Sequence, residues 1–152
     1  QEAAYLASRA EHSFVEREHV SDAITRSKQR ASLPARRFRE MVDQGAIHIQ
    51  TDGEVVGQIN GLAVISSGTV SYGFPARITA TIGAGRAGLI NIEDAAALSG
   101  AIHTKGFNIL GGLLRYLLQS DHPLAFSASI AFEQSYGGID GDSASGAEIC
   151  CL

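Results

Sequence analysis

The stretch Tyr136-Gly-Gly-Ile-Asp-Gly-Asp-Ser-Ala-Ser-Gly-Ala-Glu148 carries the residues most able to do chemistry. Four glycines (Gly137, Gly138, Gly141, Gly146) fall within thirteen residues, a density that asks for turns or close backbone approaches. Upstream, Leu124 to Phe132 alternates apolar and small polar residues and reads as a half-buried strand. From Ser143 onward the composition turns to Ala, Glu, Ile, Cys and Leu, which favours a helix with Asp142 or Ser143 as its cap or first-turn residue. A strand, a glycine turn and a serine at a helix N-terminus present a hydroxyl where free backbone N–H groups can face an oxyanion. That is an arrangement for a nucleophilic serine. Spacing alone fits a serine that merely caps a helix as well.

A nucleophilic serine needs a base, and a lysine serves when burial leaves it neutral near pH 7. The chain has two lysines, Lys28 and Lys105. Lys28 belongs to a helical N-terminal part, which leaves Lys105 as the candidate within this region. His103, Thr104 and Lys105 form a second polar cluster, which reads as a helix start in solvent. The five histidines (12, 19, 48, 103, 122) show neither i, i+4 pairing nor HExxH, so zinc catalysis has no support. Asp140-Gly-Asp142 starts like a calcium loop, but Ala144 and Cys151 occupy later ligand positions. Gly83-Ala-Gly-Arg-Ala-Gly88 matches GxGxxG, yet a strand pattern follows where a dinucleotide site needs a helix. No acid lies between Asp94 and Asp121 either, so this run reads as a flexible loop.

The elements that must position these groups change character near residue 45. Residues 1 to 44 read as three helices: Ala3, Leu6, Ala7 and Ala10 on the first, Val20, Ala23, Ile24 and Ser27 on the second, and Pro34 opening a third that stops at Gly45. From Ala46 the period becomes two. Ile47 and Ile49 alternate, Asp52-Gly53 signals a hairpin, and Glu54 to Ile59 reads as the returning strand. Further strands are expected over Gly61 to Ser66, Gly68 to Phe74, Ala76 to Ile82 and Leu89 to Ile92. Ile102 to Gln119 reads as the main helix, with Phe107, Leu110, Leu113, Leu114, Leu117 and Leu118 on one stripe packed on the sheet. Gly106, Gly111 and Gly112 point to close backbone packing against that sheet. Asp121-His-Pro123 ends the helix. The fold class is α+β.

The chain of 152 residues is 45% hydrophobic and 18% charged, ordinary for a soluble domain. It has no apolar run of the roughly 20 residues that cross a bilayer, and no signal-peptide pattern. Cys150 and Cys151 are adjacent and read as reduced core thiols, as in a cytoplasmic protein. Residues 1 to 44 carry eight Lys/Arg against seven Asp/Glu, and residues 45 to 152 carry four against nine. The acidic part argues against a nucleic-acid surface. The arginines at 26, 30, 36, 37 and 39 read as a solvated helix face or a contact to a partner domain. Gln1 and the apolar helix still running at Ala147 to Leu152 read as the ends of an excised piece.

The run Gly137 to Glu148 resembles the catalytic-serine segment of the Lon family of ATP-dependent proteases, in its B-type form. Val56-Gly-Gln-Ile-Asn-Gly-Leu-Ala-Val64 resembles that family's opening strands. Pro75 to Thr81, Asn91-Ile-Glu93 and Ile102-His-Thr-Lys-Gly106 follow in the family's order. The resemblance covers residues 45 to 152 and implies a Lon-type proteolytic domain over 46–152. Glu18 to Ile24 resembles the last helix of the AAA+ ATPase module that precedes it, which implies the tail of that module over 1–31 and a linker helix over 32–45. It implies Ser143 as nucleophile of a Ser–Lys dyad, Asp140 as a supporting acid, and Gly141 and Asp142 in the oxyanion turn. The dyad lysine of the family lies downstream, beyond Leu152, so the piece alone is expected to be inactive. A hexameric ring, protein or peptide substrates, and ATP with Mg²⁺ in the whole protein are also implied. No Walker A sequence occurs here. A rival reading is a non-catalytic Lon-like module that docks partners.

Overall fold

A computed structural model describes residues 1–67, 70–118 and 125–152. Among these residues the fold is α+β, with six helices and one four-stranded mixed sheet of order β1-β2-β4-β3. The chain divides into two compact units, residues 1–46 with 64–74 and residues 47–63 with 75–152.

The first unit holds α1 (Glu2–Arg9), α2 (Arg17–Ala31) and α3 (Leu33–Asp43). Leu6 and Ala7 are the buried positions of α1. Glu16 and His19 make a reciprocal capping box at the start of α2, with the Glu16 N–H donating to His19 Nδ1 at 3.0 Å. Pro34 stands in the first turn of α3, where its missing N–H costs nothing. Gly45 follows α3 with φ +72°, the left-handed stop expected of glycine. Phe38 stacks at 5.0 Å on Phe74.

The second unit carries the candidate chemistry. Its sheet uses β1 (Gln58–Ser67), β2 (Val70–Ala84), β3 (Gly88–Asn91) and β4 (Phe126–Phe132), of which 64–67 and 70–74 cluster with the first unit. β2 and β4 run antiparallel, with Ile78 opposite Phe132, Ala80 opposite Ile130 and Ile82 opposite Ala128. β3 runs parallel to β4. A parallel neighbour needs a long crossover, and α4 (Ile92–Ala95) with α5 (Ala101–Leu117) supplies it. The alternation in β4 buries Ala128, Ile130 and Phe132 on one face. Ile78, Ile130 and Phe132 meet Phe107 of α5 and Cys151 of α6 (Asp142–Cys151) in the core. Emptying such a site to alanine costs about 2–5 kcal/mol.

Several expectations are corrected here. Residues 47–57 form no strand, so the hairpin at Asp52-Gly53 is absent. Side-chain amides take the place of a ladder: Gln134 Oε1 accepts from the His48 N–H at 2.7 Å, and Asn60 Nδ2 donates to the Gln50 carbonyl at 2.6 Å. The segments on either side of Pro75 are one continuous strand, β2. The ladder to β4 begins at Ile78, so the missing N–H of Pro75 removes none of its bonds. Of the expected stripe only Phe107 is buried; Leu110 and Leu114 are half-buried, and Leu113, Leu117 and Leu118 are exposed. Cys150 is exposed and only Cys151 is a core thiol. Gly83 to Gly88 passes from β2 to β3 without opening a helix, as its strand-like sequel requires. Gln119, the Asp121-His-Pro123 stop and Leu124 lie outside the described residues.

Candidate active site

The turn before α6 is held from two sides. Ile139 pairs with the segment before α5: its N–H donates to the Leu98 carbonyl at 2.8 Å, and its carbonyl accepts from Gly100 N–H at 2.7 Å. Asp140 comes next. Its Oδ1 accepts from the N–H of Gly141 at 2.9 Å and of His103 at 3.2 Å. These backbone donors stabilise the ionised form and hold its carboxyl below the usual carboxylate range. A side chain at Gly100 would collide with this carboxyl, so glycine is required there.

Gly141, not Asp142 or Ser143, is the N-cap of α6, with φ +105° and ψ 139°. Only glycine reaches that region without strain. Asp142 is the first helical residue and is exposed, where its charge complements the helix dipole. Ser143 is the second and is exposed. Its Oγ hangs over the cap, 3.9 Å from where a Cβ on Gly141 would stand. The hydroxyl thus lies in the first turn of a helix, where backbone N–H groups have no intrahelical partner. Asp140 and Gly141 thus form the turn before α6, and Asp142 and Ser143 its first two residues.

Behind this turn lies a polar network that the sequence reading missed. His103 is fully buried, not in solvent. Its Nε2 meets Glu148 Oε2 at 2.8 Å, and its Nδ1 meets Ser99 Oγ at 2.8 Å. Ser99 Oγ is 2.8 Å from Thr104 Oγ1, which donates to Asp94 Oδ1 at 2.9 Å. Burial pushes the Glu148 carboxyl up, against the pull of His103, and the charge of Glu93 adds to the rise. Glu93 is buried too, and its Oε1 accepts the N–H of Phe132 at the end of β4 at 2.8 Å. The legible trace of this network is one carboxylate, Glu148, on the helical face it shares with Ser145 and Cys151.

Lys105 is exposed on α5. No group of three or more His, Cys, Asp or Glu among the described residues is placed to hold a metal ion. No helix among them is long and apolar enough to cross a membrane. The glycines of α5 serve another purpose than contact with the sheet alone. Gly106 lies against Asp142 and Ser145 of α6, and Gly111 against Leu89 of β3.

No family model matches the chain. The chain is 39% identical over 137 residues to a protein of Escherichia coli (strain K12) named "Putative Lon protease homolog". It is 48% identical over 108 residues to a protein of the same name from Haemophilus influenzae (strain ATCC 51907 / DSM 11121 / KW20 / Rd). These matches take in 89% and 70% of the chain, but the chain spans only 23% and 18% of those relatives' own lengths. With Ser143 exposed at a glycine-capped helix start and most of the sequence aligned, the chain belongs to the Lon protease homologues over the segment it shares with them.

Proposed function

We propose that the chain carries the nucleophile of a Ser–Lys peptidase, with Ser143 attacking the carbonyl of a peptide bond. The observation that supports this most is the placement of Ser143, exposed at the second residue of α6 beside a left-handed glycine cap. As its Oγ bonds to the carbonyl carbon, its proton passes to a neutral lysine supplied from outside the 152 residues. The N–H groups of Gly141 to Ser143 stabilise the developing oxyanion. Collapse expels the amine, which takes the proton from the lysine, and water then hydrolyses the acyl ester. Asp140 keeps the turn in register by accepting from the N–H of Gly141 and of His103, and on this reading it helps to position the lysine.

On the same reading the whole protein is a cytoplasmic, ATP-dependent endopeptidase that degrades unfolded or regulatory proteins as a hexameric ring. ATP and Mg²⁺ belong to that whole protein only. The glycine run Gly83 to Gly88 joins two strands and does not open a helix as a dinucleotide turn would.

The test is cleavage of casein with ATP by the whole protein and by its Ser143→Ala variant. Loss of cleavage in the variant is expected, and equal cleavage by the two would sink the serine mechanism. Binding of casein with neither cleavage nor labelling by a serine-directed fluorophosphonate would favour the docking module.

A further inference from the structure

His103 is fully buried and touches no solvent, so it cannot meet a substrate as the fold stands. Yet three of its four hydrogen-bond links run to residues 140–148, the segment that contains Ser143. Its N–H donates to Asp140 Oδ1 at 3.2 Å, its carbonyl accepts from Ser145 Oγ at 3.3 Å, and its Nε2 meets Glu148 Oε2 at 2.8 Å. Asp140 lies three residues before Ser143, Ser145 two after and Glu148 five after. The imidazole also stands edge-on to Phe132, at 6.3 Å and 83°. A single residue of α5 therefore grips both the turn before α6 and its first two turns.

The hydroxyl protons of the network follow from counting donors. Thr104 gives its proton to the Asp94 carboxylate, and Ser99 gives its own to Thr104 Oγ1 at 2.8 Å or to the Gly100 carbonyl at 3.3 Å. His103 Nδ1 then carries a proton toward Ser99, and one further proton is shared between Nε2 and Glu148 Oε2. The Nε2 contact is thereby either an ion pair or a carboxylic acid donating to a neutral ring. Both forms fix the ring plane. Such a buried polar pair is no cheaper than an apolar one of the same shape. Glu148 Oε1 even has no partner among the described residues. Its gain is directional: it fixes one rotation of α6 about its axis.

We propose that His103, locked to Glu148, is a positioning residue that aims Ser143 at the scissile carbonyl. This rests on Ser143 being the nucleophile. A displacement of about 1 Å at a reacting group can cost ~10²-fold in rate, so loss of the lock should appear in kcat with KM little changed.

The experiment uses the whole protein, with kcat and KM for a fluorogenic peptide and the rate of Ser143 labelling by a fluorophosphonate. Glu148→Leu removes the lock, whereas Glu148→Gln keeps its shape and one hydrogen bond. The expected result is a fall in kcat and labelling of about 10–100-fold for Glu148→Leu, with most of it recovered in Glu148→Gln. Leu6→Ala, a core change in α1 of the other unit, serves as a control for mere destabilisation and should leave kcat unchanged. If Glu148→Leu does not fold, Glu148→Gln and His103→Gln are read by ¹⁵N NMR of the His103 ring and by labelling rate. Labelling of Ser143 should move the His103 ring signals in wild type and leave the remaining histidines in place. Wild-type kcat and labelling in every folded Glu148 and His103 variant would overturn the positioning role while Ser143→Ala is inactive. Full activity in Ser143→Ala would overturn both this role and the nucleophile assignment.

Discussion

Gly106 of α5 meets Ser145 of α6 so closely that a Cβ on Gly106 would stand 2.9 Å from Ser145 Oγ and 3.1 Å from the Cα of Asp142. Helix α6 begins at that contact, one residue before Ser143. Gly106→Ala must therefore push the start of α6 outward. Overpacking costs about 1–3 kcal/mol, against a helix-propensity gain of about 0.8–1.0 kcal/mol, so a net loss of roughly 1 kcal/mol is expected. Gly112, on the same helix, has nothing within 4 Å of its would-be Cβ. Gly112→Ala should stabilise by about 0.5–1 kcal/mol. Denaturant titration of the two variants checks the opposite signs.

Gly141 is held at φ +105° and ψ 139°, a region essentially closed to other residues. Gly141→Ala should cost about 1–3 kcal/mol. The strain falls on the cap that lies under Ser143 Oγ, so fluorophosphonate labelling should slow as well. A variant with wild-type melting temperature and labelling rate would show that this turn tolerates a Cβ.

The two shifted carboxyls give opposite pH trends. Glu148 is raised by burial, with His103 pulling it down and Glu93 adding to the rise; burial likewise pushes up the Cys151 thiol, and the Glu148 charge adds a little to that. Between the ordinary carboxylate value of 4.5 and the raised folded value, the native state binds more protons than the unfolded state. Stability from this group is therefore full below that window and lost as pH rises through it. Asp140 is lowered by its backbone donors, so its contribution is present above the ordinary value of 3.8 and is lost as pH falls. Glu148→Gln should flatten the decline within that window, and Asp140→Asn the loss below 3.8. Melting temperature against pH, compared with wild type, reads both slopes.

The turn before α6 was legible in the sequence because its signals are local. Glycines at 137, 138 and 141, then helix formers from 143, leave few places for Ser143 other than a helix start. The network behind it was hidden because its members are far apart in sequence: His103 and Glu148 are 45 positions apart, and neither lies in a recognisable pair motif. His103 beside Thr104 and Lys105 looked like a solvated helix start, since a polar triplet gives no hint of which member turns inward. Around Asp52-Gly53, alternation of Ile47 and Ile49 suggested a strand. Those residues are only half-buried, and amide side chains rather than a partner strand bond the backbone of their neighbours His48 and Gln50. The leucine stripe of α5 failed differently. Periodicity tells which residues share a face, but not how far along the helix that face is covered, and here cover runs out near Gly111.

The last prediction concerns Lys105, the lysine of this region. A lysine becomes a base at neutral pH when burial disfavours its ammonium form, and Lys105 is exposed. Its direction is also wrong. On α5, His103 and Gly106 face the segment 140–145, through Asp140 and Ser145. At about 100° per residue, Lys105 is turned some 200° from His103 and 100° from Gly106, so its side chain leaves the face that meets α6. Lys105→Ala should change stability by no more than about 0.5 kcal/mol, as for an exposed position without partners. In the whole protein it should leave peptide cleavage and Ser143 labelling at wild-type rates across pH 6–9. A general base typically contributes ~10²–10⁴-fold, so the assay distinguishes the two cases without ambiguity. A loss of that size in Lys105→Ala, with melting temperature unchanged, would make Lys105 the base and remove the need for a lysine from elsewhere.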